Sequence, residues 1–351
     1  MILPGATIGI LGGGQLGRML AMAAAQLGYR CHVYAPEAES VAGDVSARFT
    51  CADWRDGEAL ARFAEGCDVV TWEFENVPVA PLAAIPEGRL SPHPRALEIA
   101  QDRLTEKRFA EDLGGRPAPF AEIDSAEDLE YALERIGTPG ILKTRREGYD
   151  GKGQWRVDSE HEAAGLNIHQ GGFVYEGFVH FEAEFSVILV RGRDGEVRFW
   201  DSAQNVHRGG ILATSSLPAG AIVERQVPEA RAFAAKVAER LGYVGVLALE
   251  FFATAQGPVF NEMAPRVHNS GHWTIEGAET SQFENHIRAI CGLPLGDTGL
   301  AAPRVEMENL IGADALGIAP ILSDPAAHLH LYGKSEAREG RKMGHVTRVW
   351  R

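Results

Sequence analysis

The sequence predicts an α/β plus α+β fold, and three observations lead to this fold class. Over the first hundred residues, short apolar runs alternate with helical patterns, which is typical of an open parallel sheet with crossover helices. Strand-like and helix-like runs alternate again between residues 120 and 179. From residue 185 onward, tight-turn signals separate the apolar runs FSVILV, VRFW, GVLALEFF and GPVFNEM, which indicates antiparallel strands.

Length and charge limit the classes of protein to consider. With 351 residues and 45% hydrophobic content, the chain is long enough for two or three cores, so a single domain is not expected. The formal net charge is -14, from 34 basic and 48 acidic residues. Such an acidic balance argues against nucleic acid or an anionic membrane as the main partner. We therefore expect no nucleic-acid partner and no membrane partner.

Cysteine usage and the N-terminus indicate the compartment. No C-x-x-C spacing and no metal-like histidine pattern accompany the four cysteines, which are Cys31, Cys51, Cys67 and Cys291. A zinc site or a disulfide scaffold is therefore not expected. The chain starts without a basic leader, and no apolar run approaches the roughly 18 residues that a membrane span needs. These features predict a soluble cytoplasmic protein with reduced thiols.

The N-terminal part is expected to fold as a small parallel unit. Strand, helix, strand, helix and strand are predicted in this order over residues 7–11, 18–27, 31–34, 58–65 and 68–72. The last of these strands ends in Glu73 and Glu75. Ligands of such sheets lie beyond the carboxyl ends of the strands, where these carboxylates fall. The proline-rich segment 86–95 is then expected to close the unit, and residues 96–113 to be helical.

A glycine turn follows the first strand. Gly12, Gly14 and Gly17 match G-x-G-x-x-G, so a dinucleotide-binding oxidoreductase has to be considered. The second strand ends in Tyr34, where the dinucleotide pattern needs an acidic residue for the ribose. The dinucleotide pattern is therefore incomplete. A glycine turn at a helix N-terminus still predicts a phosphate-binding site, and the phosphate can belong to a substrate. The alternative is that the glycines serve only the tight turn.

Residues 142–155 read LKTRREGYDGKGQW, a basic glycine-rich stretch in an acidic chain. Such a stretch is either a solvated hairpin tip or a loop that holds a triphosphate. A Walker loop is disfavoured, because no Ser or Thr follows Lys152 and the glycines stand too close together. Lys143 follows two apolar residues, so we expect it to leave a strand and point into a cleft. Two lysines in different structural positions suit a clamp on phosphates.

A predicted hairpin at residues 244–266 carries one acidic residue in each strand. If the loop has an odd length centred near Gln256, Glu250 and Glu262 lie directly opposite one another. Like charges in this position are unfavourable unless a cation lies between them, and Mg²⁺ prefers such oxygen ligands. Asn261 offers an additional amide oxygen. The alternative is a pair of solvated glutamates on an exposed sheet face.

The sequence RVHNSGHW follows this hairpin and concentrates polar groups in one loop. Arg266 offers a rigid fork for a carboxylate or carbonate, and His268 can exchange a proton near neutral pH. Asn269 and Ser270 add further polar groups. A lone histidine is more often structural, but this one lies beside a predicted metal site.

Together these features resemble the ATP-grasp superfamily, and more narrowly the 5-(carboxyamino)imidazole ribonucleotide synthetase family of purine biosynthesis. The resemblance covers residues 8–347 and rests on the motifs GGGQLGRM, QDRLTEK, LKTRREGYDGKGQ, EGFV, NVHRGGIL, FNEMAPRVHNSGHWT and LYGKSEAREGRKMGH. It implies an ATP-grasp architecture with an N-terminal open α/β (pre-ATP-grasp) domain at residues 1–100. An ATP-grasp domain at 101–290 would include a lid at about 120–180, and a small C-terminal antiparallel-sheet domain at 291–351 would complete the substrate site.

The resemblance also implies ligands and roles. ATP would be bound by Arg103, Lys143, Gly148, Tyr149, Asp150, Gly151, Lys152, Gly153, Gln154, Glu176, Gly177, Phe178, Val179, Glu184, His207, Asn261 and Glu262. The aminoimidazole ribonucleotide would be bound by Gly14, Gln15, Leu16, Tyr149, Ser270, Lys334, Arg341 and Lys342, together with either Glu73 or Glu75. Without the resemblance, the C-terminal cations would be read as an ordinary basic surface. Glu250 and Glu262 would hold Mg²⁺, with Mn²⁺ as an alternative.

The implied reaction is the ATP-dependent carboxylation of 5-aminoimidazole ribonucleotide by bicarbonate through carboxyphosphate, in a cytoplasmic homodimer. The implied catalytic residues are Arg266, His268, Asn269 and Asp150, with either His268 or Asp150 as the proton acceptor. The nearest alternative is another ATP-grasp ligase, such as a formate-dependent glycinamide ribonucleotide transformylase.

Overall fold

The computed structural model describes residues 1–148, 153–163, 165–166, 168 and 172–351. Within these residues the strands form three sheets, one for each part of the predicted α/β plus α+β arrangement. The first sheet is parallel with strand order β3-β2-β1-β4. Its strands and helices are β1 (Thr7–Leu11), α1 (Gln15–Gln26), β2 (Arg30–Ala35), β3 (Arg48–Cys51), α2 (Gly57–Glu65) and β4 (Val69–Trp72).

Two helices connect this unit to the rest of the chain. The segment predicted as one helix divides into α3 (Arg95–Ala100) and α4 (Arg103–Asp112). The division occurs at Asp102, whose buried carboxylate accepts hydrogen bonds from the N–H groups of Leu104 and Thr105, both at 3.1 Å. An aspartate in this position caps the new helix, because it satisfies N–H groups that have no partner inside the helix.

A second sheet is antiparallel and has the order β5-β8-β6-β7 among the described residues. Its core side packs on one amphipathic helix, α5, whose Leu129, Ala132 and Leu133 are buried with Leu142 and Tyr175. The elements of this part are β5 (Phe120–Ile123), α5 (Ala126–Ile136), β6 (Gly140–Thr144), β7 (Gln154–Val157), α6 (Glu160–Ala163) and β8 (Phe173–Gly177).

The largest sheet runs β14-β13-β9-β11-β12-β15-β17-β16, with β10 paired beside β9. The sequence patterns did not predict α7, which contains a proline, or the pair β11 and β12. The elements are β9 (Ala183–Arg191), β10 (Val197–Phe199), β11 (Gln204–Arg208), β12 (Ile211–Leu217), α7 (Ala221–Arg240), β13 (Gly245–Thr254), β14 (Gly257–Ala264), α8 (Thr274–Gly277), α9 (Gln282–Cys291), β15 (Arg304–Ile311), α10 (Ile318–Leu322), β16 (Ala327–Leu331) and β17 (Lys342–Trp350).

This sheet is covered on both faces, and β9 shows how. Phe185, Val187 and Leu189 pack in the core that contains α7, whereas Ile188 and Val190 pack in the core that contains α9 and α1. Alternate residues of a strand point to opposite faces, so a continuous apolar run is what a strand buried on both faces requires.

The last strands extend the same sheet, because β15 pairs with β12 as well as with β17. The C-terminal segment is therefore hydrogen-bonded to the sheet that carries the predicted hairpin. None of the helices within the described ranges is long and apolar enough to cross a membrane.

Candidate active site

The two hairpin carboxylates lie opposite one another, as the sequence predicted. Glu250 on β13 pairs with Glu262 on β14, although the turn between the strands is short, with Thr254 paired to Gly257. The register shifts after Glu250, and the extra residue is Asn261. Burial and then the charge of Glu262 raise the pKa of Glu250 to about 7. Two carboxylates so placed favour a cation between them.

The loop after β14 places His268 against this pair. The buried ring of His268 lies with Nε2 3.2 Å from Oε1 of Glu250 and with Nδ1 2.8 Å from Oγ of Ser270. Burial, and then the charge of Arg266, lower its pKa well below the usual value. The side chain of Gln282 holds the main chain of His268 on both sides, accepting from its N–H at 2.9 Å and donating to its carbonyl at 2.6 Å. The imidazole is thus held in one position.

Arg266 of the same loop joins the N-terminal unit to the site. It forms a two-pronged ion pair with Glu75, in which Nη2 donates to Oε1 at 2.8 Å and Nε donates to Oε2. Although burial opposes it, the charge of Arg266 lowers the pKa of Glu75. The indole N–H of Trp72 donates to the carbonyl of Pro265 at 2.9 Å. The end of β4 and the loop after β14 therefore pack together and line the same side of the candidate site.

Glu73 fills the glycine turn. Its carboxylate accepts from the N–H of Gly14 at 2.9 Å and from the N–H of Gly17 at 3.2 Å. A Cβ at Gly12, whose φ is 115°, would lie 2.5 Å from Cγ of Glu73. All three glycines of the G-x-G-x-x-G pattern thus make room for an internal carboxylate. Burial raises its pKa despite these hydrogen bonds. Glu73 therefore already takes up two N–H groups at the N-terminus of α1, which the sequence predicted as a phosphate site. The roles of Gln15 and Leu16 remain predictions.

A buried cluster of charges lies between α4 and the second sheet. The Oε2 atom of Glu176 lies 3.0 Å from Nζ of Lys143 and 3.1 Å from Nζ of Lys107. Burial would raise the pKa of Glu176, but the two lysines hold it below its usual value. The other oxygen, Oε1, is buried and has no hydrogen-bond partner among the described residues. This oxygen is therefore available to a donor from a ligand.

Arg103 links this cluster to the carboxylate pair. Its Nη1 lies 3.3 Å from Oε2 of Glu262, and its Nη2 donates to the carbonyl of Gly148 at 3.0 Å. On the neighbouring strands, His207 forms an ion pair with Glu184, which raises the pKa of His207 although burial opposes the shift. Cations and anions thus alternate along the cleft.

Comparison with known proteins decides the family. The N5-carboxyaminoimidazole ribonucleotide synthase of Brucella melitensis biotype 1 is 52% identical over 352 residues, which cover 99% of this chain and 97% of that protein. The chain belongs to the N5-carboxyaminoimidazole ribonucleotide synthase family. Residues 5–101 match the ribonucleotide synthetase preATP-grasp domain, residues 108–283 the ATP-grasp domain, and residues 306–350 the phosphoribosylaminoimidazole carboxylase C-terminal domain.

Solved structures of the synthase family agree with this assignment. The synthetase of Thermus thermophilus has a TM-score of 0.90 at 50% identity, covering 98% of this chain and 93% of that chain. The Aspergillus clavatus synthase, in complex with ADP and 5-aminoimidazole ribonucleotide, has a TM-score of 0.90 at 29% identity, covering 98% and 94%. The fold class and the membership in the ATP-grasp superfamily and the synthase family that the sequence predicted are therefore confirmed.

The structure brings together many of the residues that the resemblance to the synthase family singled out. Phe178 and Val179 follow β8 and line an open groove of about 490 Å³. Among the loop residues, the carbonyl of Gly153 accepts from the N–H of Thr144 at 2.9 Å, and Gln154 pairs with Lys143. The predicted residues Tyr149, Asp150, Gly151 and Lys152 lie outside the described residues.

The segment that carries Lys334 lies beside the N-terminal unit. A Cβ at Gly333 would lie 3.8 Å from Nη1 of Arg18 on α1. Next to it, Nζ of Lys334 donates to the carbonyl of Lys342 at 2.7 Å. Burial raises the pKa of Glu75, the charge of Arg266 lowers it, and the charge of Lys342 adds to this lowering. The guanidinium of Arg341 donates to the carbonyl of Glu336 at 3.0 Å. Their role as phosphate anchors of the synthase family stays a prediction.

Some groups of the site were not singled out from the sequence. Lys107 stands four residues after Arg103 on α4, and residues at this spacing share a helix face, so the motif QDRLTEK contained a signal for it. Gln282 and Asn205 gave no local signal, because their partners are distant in sequence. The amide of Asn269, by contrast, was singled out. Its Nδ2 and its Oδ1 are both buried, and neither has a partner among the described residues.

Proposed function

We propose that this chain catalyses the reaction of its family in the cleft between the first and the largest sheet. In this reaction bicarbonate is joined to the amine of 5-aminoimidazole ribonucleotide with the conversion of ATP to ADP and phosphate, through carboxyphosphate. The proposal rests on one arrangement: the loop that carries Arg266, His268 and Asn269 lies between the carboxylate pair of the hairpin and Glu75 of the N-terminal unit.

The nucleotide side of the cleft supports the proposal. The buried Oε1 of Glu176, which has no hydrogen-bond partner in the described part of the chain, is suited to accept a hydrogen bond from an adenine amino group. Lys143, which shares the other oxygen with Lys107, is suited to turn to the phosphates, since Lys107 remains as the partner of Glu176. Glu184 is suited to the ribose hydroxyls, with His207 beside it.

The donor set fits Mg²⁺, and Mn²⁺ as the alternative. Glu250 and Glu262 are two carboxylates held on one sheet face, and their mutual repulsion needs a cation to offset it. Two carboxylates are the usual protein contribution to a magnesium site that takes its remaining ligands from phosphates and water. No cluster of three or more metal-binding side chains occurs within the described ranges. When bound, the ion would neutralise charge on the transferring phosphoryl group.

The residues of the chain would act in sequence. Arg103 and Lys143 would hold the phosphates, while Arg266 and the amide of Asn269 would hold bicarbonate for attack of its oxygen on the γ-phosphorus. The bond from this phosphorus to the bridging oxygen breaks, and ADP leaves. Carboxyphosphate then separates into CO₂ and phosphate, and the amine of the imidazole attacks the carbon. The proton lost from nitrogen would pass to Asp150 or His268.

The surroundings of the loop favour this chemistry. Arg266 is held by Glu75 at a site that is mostly buried, so its charge is only partly screened by water. Exclusion of water also protects carboxyphosphate from hydrolysis. Glu73 and Glu75, at the end of β4, are suited to the sugar or the imidazole of the second substrate.

Phosphate release tests the proposed function. We would measure release from Mg-ATP with bicarbonate, with and without 5-aminoimidazole ribonucleotide. Stimulation by the imidazole, with one ADP formed per carbamate, is the expected result. Glycinamide ribonucleotide with formate serves as the control pair, because stimulation by this pair alone would assign the site to the related transformylase reaction. No turnover with either pair would reject both reactions.

A further inference from the structure

An ion pair joins the two elements that carry the cations proposed for the nucleotide phosphates. Arg103 is the first residue of α4, and Lys143 lies on β6. The residue before Arg103 is Asp102, and the residue two positions after Lys143 is Arg145. Nη2 of Arg145 donates to Oδ2 of Asp102 at 2.9 Å, and its Nε donates to Oδ1 at 3.3 Å. Each of the two cations therefore has a member of this pair beside it in the chain.

The carboxylate of Asp102 is buried and charged. The residue is only 2% exposed. Burial would raise the pKa of Asp102, but the hydrogen bond from Arg145 holds it below its usual value. Capping of α4 does not require the arginine, because Oδ1 already accepts from the N–H groups of Leu104 and Thr105. The pair with Arg145 is therefore a feature in addition to the cap.

Main-chain hydrogen bonds join the same two segments. The N–H of Arg103 donates to the carbonyl of Arg145 at 2.9 Å, which satisfies one of the N–H groups that have no partner inside the helix. Arg145 is itself fixed to the second sheet. Its N–H donates to the carbonyl of Gly172, just before β8, at 2.9 Å, and its Nη1 donates to Oε1 of Glu122 on β5 at 2.7 Å. Arg145 therefore connects the second sheet to the start of α4 through both its main chain and its side chain.

A second connection lies one helical turn further along α4. There Oε2 of Glu176 on β8 lies between Nζ of Lys107 and Nζ of Lys143. Lys107 stands four residues after Arg103, so the two residues share a face of α4. A phosphate bound by both Arg103 and Lys143 requires a fixed distance between α4 and β6. The ion pair of Asp102 is the side-chain bond nearest to the start of α4 that sets this distance.

We propose that Asp102 is a positioning residue, which acts through Arg145 to hold Arg103 and Lys143 at the separation that the nucleotide phosphates require. This inference rests on the nucleotide site of the proposed function, and on no other part of it. Cations that are held in place before binding lose less freedom when a phosphate arrives, so the affinity for the phosphates is higher. Adenosine lacks phosphates, and its binding therefore does not depend on the separation of the two cations.

Asp102→Asn separates the ion pair from the helix cap. Asparagine caps a helix about as well as aspartate, but it is neutral and offers one acceptor oxygen in place of two. Calorimetric titration with ADP and Mg²⁺ is the measurement, and the dissociation constant of ADP is expected to rise about tenfold. The affinity for adenosine, measured by competition with ADP, is expected to stay within about twofold. An equal loss of affinity for both ligands would assign the effect to general structure and overturn the proposal.

Arg145→Gln and the double variant test whether the two residues act as one unit. Each single change is expected to weaken ADP binding about tenfold, and the double variant about as much as either, because both changes break the same ion pair. A loss of about a hundredfold in the double variant would show two independent causes and contradict the proposal. Arg146→Gln is the matched control. Nη2 of Arg146 also lies 3.2 Å from Oδ2 of Asp102, but its side chain is 60% exposed, so ADP binding is expected to stay within about twofold.

Failure of this role and failure of the proposed function give different results. ADP binding needs no turnover, so a loss of ADP affinity in the variants supports the role whichever second substrate the protein uses. Equal ADP affinity of Asp102→Asn and the unaltered protein would overturn the role of Asp102 alone. No ADP binding by the unaltered protein would reject the nucleotide site, and this role with it. Asp56→Asn, at the exposed cap of α2, controls for the exchange of a capping aspartate and should leave ADP binding unchanged.

Discussion

Glu250 lies directly opposite Glu262 because a bulge adds one residue, Asn261, to the second strand of the hairpin. The turn itself is tight, and without the bulge Glu250 would pair with Asn261. Since neighbouring residues of a strand point to opposite faces, a shift of one residue would turn the carboxylate of Glu262 away from its partner. The bulge therefore brings the two carboxylates of the pair together.

Replacing Glu262 is expected to remove turnover. Glu262→Gln keeps the shape of the side chain but takes away one of the paired carboxylates and the partner of Arg103. We expect kcat to fall about a hundredfold or more, as for loss of a group that stabilises phosphoryl transfer. Glu239→Gln, at an exposed position of α7, is the control and should be neutral. Turnover in Glu262→Gln within about threefold of the unaltered protein would refute the assigned role.

Lys107 is expected to affect stability and ATP binding together. Lys107→Met leaves Glu176 with Lys143 as its one remaining lysine, so Lys143 is less free to turn to the phosphates. Loss of one partner of a buried charge costs about 3 kcal/mol in unfolding free energy. Urea unfolding and KM for ATP are the measurements, with Lys236→Met on the surface of α7 as the control. Unchanged KM for ATP would separate Lys107 from the nucleotide site.

The glycine turn is expected to be intolerant of a methyl group because of Glu73. Gly14 has φ of -86°, which alanine adopts without strain, but a Cβ there would lie 2.8 Å from Oε1 of Glu73. Gly14→Ala should therefore lower the unfolding free energy by about 1–3 kcal/mol. Gly57→Ala, whose Cβ would have its nearest neighbour at 3.8 Å, is the control and should be neutral or stabilising. Equal effects of both changes would show that the carboxylate does not require the glycines.

Acid is expected to destabilise the fold through His286. Its Nδ1 accepts from the N–H of Val246 at 3.1 Å and its Nε2 bonds Oγ1 of Thr71 at 2.8 Å, and burial lowers its pKa to about 3. Between pH 6.5 and 3 the unfolded chain binds a proton that the folded protein does not, so stability falls as the pH falls. From pH 6.5 to 5 the loss from this group is about 2 kcal/mol.

The measurement is urea unfolding at about pH 7.5 and about pH 5, on either side of the ordinary histidine pKa. The His286→Gln variant keeps a side-chain acceptor, and its loss of stability on acidification should be smaller by that amount. His328→Gln, at an exposed position, should follow the unaltered protein. A parallel pH dependence in His286→Gln and the unaltered protein would remove His286 as a source of acid sensitivity.

The sequence predicted the fold class and the local elements that carry the candidate site. The apolar runs and glycine turns indicated the parallel unit, the hairpin and the loop after it, because these depend on local periodicity and turn chemistry. The sequence correctly predicted that Glu250 and Glu262 lie opposite one another. The assumed odd loop was wrong, because the bulge at Asn261, and not the loop length, sets the register of the two strands. The helix α7 was not predicted, and its internal Pro228 is a residue that normally argues against a helix.

Taken by itself, the sequence determined which chemical groups the protein has and in which local elements they stand: the glycines before α1, the lysines of α4 and β6, the hairpin carboxylates, and the loop of Arg266 and His268. Tertiary structure alone decided which of them meet. Glu73 reaches the turn 56 residues before it in the bond to Gly17, and hydrogen bonds through Ser186 and Ser270 join the side chain of Asn205 to that of His268. Such contacts join residues far apart in the chain, and no local pattern encodes them, because they form only when sheets and loops pack into one core.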